Sequence, residues 1–124
     1  MTLIMPFLTD LSIKSIRRSS FFTLEKPLTY QYLQANTAYT VPVGFKTDFA
    51  SIPKIFQSII ADSESDIRDA AVIHDWLYST GFVPRLEADR ILRAAMLELG
   101  ASRLKAYVVF LAVRLGGASH YGAV

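Results

Sequence analysis

Four residues in this chain carry chemistry at useful spacing: His74, Asp75, Tyr78 and Asp89. His74 lies on the apolar stripe of a run with helical period, and a half-buried imidazole there is a competent general base near neutral pH. Asp75 follows directly, turned by about 100° on the helical wheel, so its carboxylate faces a neighbouring groove and does not stack on His74. Tyr78 comes four residues after His74 and three after Asp75, which sets its ring near both. Asp89 falls in the early turns of the next helical run, where an antiparallel helix pair brings it back against His74. A carboxylate on the far nitrogen of a histidine fixes its tautomer and stabilises the charged ring after proton uptake. Each residue also has a plain structural role: a satisfied core histidine, a surface acid, an acid near a positive helix start. Singly the plain roles are stronger. Together the four make a set in which a carboxylate can orient a general base.

The elements that must position these residues change period midway. Leu28, Tyr30 and Tyr32 alternate with polar residues, as do Tyr39, Val41, Val43 and Phe45, with Gln34-Ala35-Asn36-Thr37 supplying turn chemistry between them. Residues 20–50 thus read as strands in an antiparallel hairpin or small meander. Pro42 places one strand at an edge, and Gly44 marks a bulge or turn. Helices follow at 52–60, 66–78, 85–99 and 102–115. Ser51 is the N-cap of the first, or a nucleophile should it approach His74. Ala70, Ile73, His74 and Leu77 form the stripe of the second, with Gly81 as its stop. The third carries Ala88, Ile91, Leu92, Ala95 and Leu99, with Gly100 as its cap. The fourth is apolar at Leu104, Tyr107, Val108, Leu111 and Leu115 and ends at Gly116-Gly117. Strands first and helices after give an α+β domain, a small antiparallel sheet packed on a bundle of three to four helices.

The 124 residues fit one domain, 1–124. An apolar fraction of 52% against 19% charged residues supplies a packed core and excludes a disordered chain. With no cysteine there is no disulfide, thiolate nucleophile or zinc–thiolate site. The net charge of +2 does not imply nucleic acid, although residues from 85 onward lean basic: Arg85, Arg90, Arg93, Arg103, Lys105 and Arg114 against Glu87, Asp89 and Glu98. The apolar run at 3–8 has no preceding basic residue and holds Pro6, unlike a signal peptide. The run at 106–113 is far too short to span a bilayer. His120, in the Gly/Ala-rich tail, reads as a surface residue. An HD-type phosphohydrolase needs a further histidine upstream of His74-Asp75, and residues 1–73 contain none.

Taken together, Asp69-Ala70-Ala71-Val72-Ile73-His74-Asp75-Trp76-Leu77-Tyr78 followed by Ala88-Asp89-Arg90-Ile91-Leu92 resembles the catalytic helix pair of the phospholipase A2 superfamily. It is most similar to the cysteine-free domain of parvovirus minor capsid proteins. The resemblance implies His74 as the base that activates water, Asp75 as a ligand of Ca²⁺, Asp89 as the group that orients the histidine, and Tyr78 as its support. Hard carboxylate oxygens suit calcium, and a neutral imidazole suits water. The superfamily's glycine-rich calcium loop has no counterpart, since Gly44 is the one glycine before His74. Asp48 is the substitute oxygen ligand.

The chain at large resembles a family of tailed bacteriophages and prophages without assigned activity. The shared segments are Gly44-Phe45-Lys46-Thr47-Asp48-Phe49-Ala50-Ser51-Ile52-Pro53, Ala71–Tyr78 and Ala88-Asp89-Arg90, with Met96 beyond. This resemblance implies a phage protein in the host cytoplasm or the virion. Two functions follow as expectations. One is a phospholipase A2-like or metal-assisted hydrolase acting on a phospholipid or another ester. The other is a non-catalytic tail, tail-tip or anti-defence protein, partnered by virion or host proteins, that keeps the helix pair for structure.

Overall fold

The computed structural model describes residues 7–16, 21–47 and 66–122. Among the described residues five short strands come first: β1 (Ile13–Ser15), β2 (Phe22–Leu24), β3 (Leu28–Tyr32), β4 (Thr37–Val41) and β5 (Lys46–Thr47). Three helices follow among the described residues: α1 (Asp66–Thr80), α2 (Arg85–Glu98) and α3 (Arg103–Gly116). The architecture is α+β. The helix expected at 52–60, with Ser51 as its cap, lies outside the described residues.

The strands form two small antiparallel sheets. β3 and β4 make a hairpin in which Leu28 faces Val41, Tyr30 faces Tyr39 and Tyr32 faces Thr37. A single 3-10 turn at Leu33–Ala35 joins them, closed by Asn36 in the left-handed region (φ 49°), a conformation asparagine tolerates better than most residues. The alternation through Val43 and Phe45 does not continue as one strand. β4 stops at Val41 because Pro42 has no N–H for a ladder, and Gly44 (φ 87°) turns the chain. Phe45 and β5 then join β2 in the second sheet, ordered β1-β2-β5. β1 is an addition to the strands expected from sequence. Its three residues, largely exposed, carry too short an alternation to register.

α1 is the central element. It packs on α2 on one side and on β3, β4 and β5 on the other, so Ile67, Ala70, Ala71, Val72, Ile73, His74, Leu77 and Tyr78 are all buried. Alanines at 70, 71, 88 and 95 let the helix axes approach closely, and the larger Ile91, Leu92 and Met96 fill the space between. Gly81 (φ 62°) ends α1, its N–H bonded to the Leu77 carbonyl. α2 begins directly after Pro84 and ends at Glu98, with Gly100 (φ 99°) just beyond. Ser102 caps α3, its hydroxyl accepting from the Lys105 N–H at 3.1 Å.

α3 is rotated from what its sequence invites. It packs on α2 through Ala106, Val109, Ala112 and Val113, while Leu104, Tyr107, Leu111 and Leu115 face outward. Two polar ties set this rotation. Arg114 reaches into the core, and the Arg85 Nη2 donates to the carbonyls of Val113 and Arg114, each at 2.7 Å. The Val113 carbonyl also accepts from the Gly117 N–H at 2.9 Å, so the guanidinium adds a second donor there and serves the Arg114 carbonyl near the helix end.

Candidate functional site

Asp89 is the hub. Its Oδ1 accepts from the His74 Nε2 at 2.7 Å and from the Tyr78 hydroxyl at 2.6 Å, and its Oδ2 accepts from the Arg114 Nη1 at 2.7 Å. His74 and Asp89 are 0% exposed. The antiparallel pairing of α1 and α2 accounts for the meeting: Gly81 turns the chain, and Asp89 on the second turn of α2 comes back against the last two turns of α1. His74 and Tyr78, one helical turn apart, then address the same carboxylate oxygen. Their rings lie 4.2 Å apart between centroids.

Burial by itself would push the Asp89 carboxyl up, but the bonds from His74, Tyr78 and Arg114 outweigh it and hold the group below the usual carboxylate range. The hub is therefore an anion at neutral pH. Burial, reinforced by the bond to this anion, drives the Tyr78 phenol well above its ordinary range, so it stays a donor. Among the described residues, no buried side-chain nitrogen or oxygen lacks a partner. The network is closed, which a low-dielectric interior requires of charged groups.

Further groups brace the hub. The Arg85 Nε donates to the Tyr78 oxygen at 3.2 Å while its Nη2 holds the end of α3. Gly117 passes so close that a Cβ there would stand 2.8 Å from the Tyr78 oxygen and 2.5 Å from the Val113 carbonyl oxygen. Tyr121 meets the Tyr78 ring edge-on, and the Gly122 N–H donates to the Tyr78 carbonyl at 2.6 Å. Arg85, Arg114 and Gly117 were not among the residues expected from sequence. The available signal was an Arg on a mostly apolar helix, and two glycines where a helix stops.

The structure thus brings His74, Tyr78 and Asp89 together as the helix pairing requires. It corrects one expectation: His74 is sealed in the core, not half-buried, because α1 is covered by α2 on one side and by β3, β4 and β5 on the other. Asp75 is half-buried on the next position of α1, as its offset on the wheel implies. Asp48 and Ser51 lie outside the described residues. His120 is exposed in a 3-10 turn at Ala118–His120. Calcium takes six to eight oxygens, and among the described residues no three acids or histidines converge as a metal set.

The class these features define is a small α+β domain whose helices are locked by a buried His–Asp–Tyr–Arg network. Residues 22–113 match the family described as "Protein of unknown function (DUF1353)", and the chain belongs to that family. No curated protein and no solved structure matches it.

Proposed function

We propose that the protein is a hydrolase of ester substrates in which His74 is the general base. One observation carries this reading: a single oxygen of Asp89 lies 2.7 Å from the His74 Nε2 and 2.6 Å from the Tyr78 hydroxyl. His74, held at Nε2 by an ionised carboxylate, takes the proton of a water as the water's oxygen attacks the ester carbonyl. The ring then returns the proton to the leaving alkoxide as the C–O bond breaks, and Asp89 stabilises the transient imidazolium. At 0% exposure, His74 meets a substrate only when the packing over it opens. Calcium at Asp75, with Asp48 as a second carboxylate, belongs to the same proposal, and a bound cation there would stabilise an oxyanion. So do origin in a phage or prophage and residence in the host cytoplasm or the virion.

The test is turnover of a phospholipid and of a short-chain ester, with and without calcium, by the wild type and by Asp75→Asn. Turnover that needs calcium and is lost in Asp75→Asn supports the reading. A calorimetric titration without heat would remove the metal from it.

A second reading has its own observation. Arg114 clamps the other oxygen of the same sealed Asp89, so the network joins three helices and suffices as a structural lock. In that case the protein is a non-catalytic virion or host-interaction component. The wild type would then be inert towards every ester.

A further inference from the structure

α3 has no acidic residue and is apolar on nearly all sides. Its small residues are spent on the core, and its large ones face outward: Leu104 is 74% exposed and Leu115 88%, with Tyr107 and Leu111 between them. At about 100° per residue these four fall within an arc of about 80° along the whole helix. Arg103 lies about 40° beyond one edge of this stripe and Lys105 about 80° beyond the other. A helix that is apolar all round is ordinarily buried all round. Here one side is not.

A second feature adjoins the stripe. A groove of about 240 Å³ opens between β3 and α2, lined by Tyr32, Gln34, Arg90, Arg93, Ala94 and Leu97. The Arg93 guanidinium lies 5.9 Å from the centroid of the Tyr107 ring and 6.0 Å from that of Phe110. Stacking of this kind restrains the arginine while leaving its N–H edge available. The groove and the stripe therefore meet at Arg93 and Tyr107. Among the described residues the ion pairs are those of Asp89 with His74 and Arg114, so Arg90, Arg93, Arg103 and Lys105 keep their charge for a partner.

We propose that the outer face of α3 and the adjoining Arg90–Arg93 groove dock on an anionic lipid surface. The apolar stripe enters the acyl boundary, the flanking Arg103 and Lys105 lie at headgroup level, and the groove takes a phosphate on its two guanidinium groups. Leu104 and Leu115 stand out at the two ends of the helix, a shape that a fluid surface accepts without matching pockets. A second copy of the chain suits the face poorly. A two-fold contact would set this face against itself, bringing Arg93, Arg103 and Lys105 of both copies into one interface with no acid on α3 to meet them. No helix among the described residues is long and apolar enough to cross a membrane, so this is attachment from one side. The proposal goes beyond the hydrolase reading and needs no turnover.

Co-sedimentation of the full chain with vesicles tests it. The wild type should pellet with vesicles containing phosphatidylglycerol, about tenfold less with pure phosphatidylcholine, and less again at high salt. Leu104→Gln/Leu115→Gln should weaken binding about tenfold with an unchanged melting temperature, since both side chains are exposed. Arg90→Gln/Arg93→Gln should remove the preference for anionic lipid. No pelleting at millimolar anionic lipid overturns the proposal, as does equal binding by the leucine variant. A wild-type dimer in analytical ultracentrifugation that the leucine variant splits would assign the face to a second copy. Capture of an acidic helical peptide by a protein that ignores vesicles would assign it to a protein partner, and either result ends the lipid assignment.

Discussion

Arg114, on the last turn of α3, donates to the Asp89 Oδ2 at 2.7 Å, while His74 and Tyr78 share the Oδ1 of the same carboxylate. One carboxylate thus ties α1, α2 and α3. Removal of one partner from a buried pair leaves the other charge without compensation. Arg114→Met should therefore lower stability by roughly 3 kcal/mol, the low end for such breaks because the Arg114 side chain is 30% exposed. Urea unfolding of the variant measures this. A change below about 0.5 kcal/mol would mean that the ion pair adds nothing to the His74 and Tyr78 bonds.

The same hub sets the acid limit of stability. Asp89 is held below its ordinary value of 3.8, its three donors outweighing burial. A carboxyl with a depressed native value contributes stability that is complete above the unfolded value and is lost as pH falls through the native one. The urea midpoint should hold from neutral pH to about 5 and then fall increasingly below about 4. Glu98, raised by burial although Tyr30 donates to it, works in the opposite sense. The difference between wild type and Asp89→Asn therefore isolates the hub. A difference that does not shrink as pH falls below 4 would assign the acid loss to other groups.

Gly117 is under steric constraint, not conformational constraint, since its φ of −88° suits any residue. A methyl group there would lie 2.5 Å from a backbone oxygen and 2.8 Å from the Tyr78 hydroxyl oxygen. Gly117→Ala should push α3 or Tyr78 away and destabilise by about 1–3 kcal/mol. Gly100→Ala is the contrast: nothing lies within 4 Å of a Cβ there, and its cost comes from a φ of 99° alone. Thermal unfolding of the two variants, with the near-ultraviolet signal of Tyr78 and its neighbours, separates the mechanisms. A native-like near-ultraviolet spectrum in Gly117→Ala would mean that the chain relaxes without moving the phenol.

The fold class was legible in sequence because each period belongs to a local element: alternation at Leu28, Tyr30 and Tyr32, then helical stripes at Ala70, Ile73, His74 and Leu77. The juxtaposition of His74 and Asp89 was legible as well, since a glycine-terminated helix followed by Pro84 leaves an antiparallel return as the compact choice. Two features were not. The burial of His74 depends on what covers the second side of α1, which no periodicity within α1 records. The rotation of α3 was not legible in its apolar stripe for a physical reason. Its largest apolar residues make the stronger stripe, yet the small Ala106 and Ala112 permit the closer approach to α2, and Arg114 can reach Asp89 only from that orientation. Long-range polar ties decided the face, and a sequence window cannot contain them.

The burial of His74 also changes how catalysis and scaffold can be told apart. Were the imidazole at an open cleft, His74→Ala would cost little stability in an enzyme. Because His74 is 0% exposed and bonded to Asp89, alanine leaves a cavity and removes a donor under either function, at roughly 1–3 kcal/mol. The informative variant is His74→Gln, whose amide can still donate to Asp89 but cannot take a proton at neutral pH. In a hydrolase, His74→Gln should recover part of the stability lost in alanine while turnover falls by about 10²–10⁴. In a scaffold, the same recovery appears beside a wild type that cleaves no ester with or without calcium. Glutamine turnover equal to wild type would take the base role from His74 altogether. The measurement pairs the urea midpoints of the three proteins with their rates on one phospholipid and one short-chain ester, so that folding and chemistry are read from the same preparations.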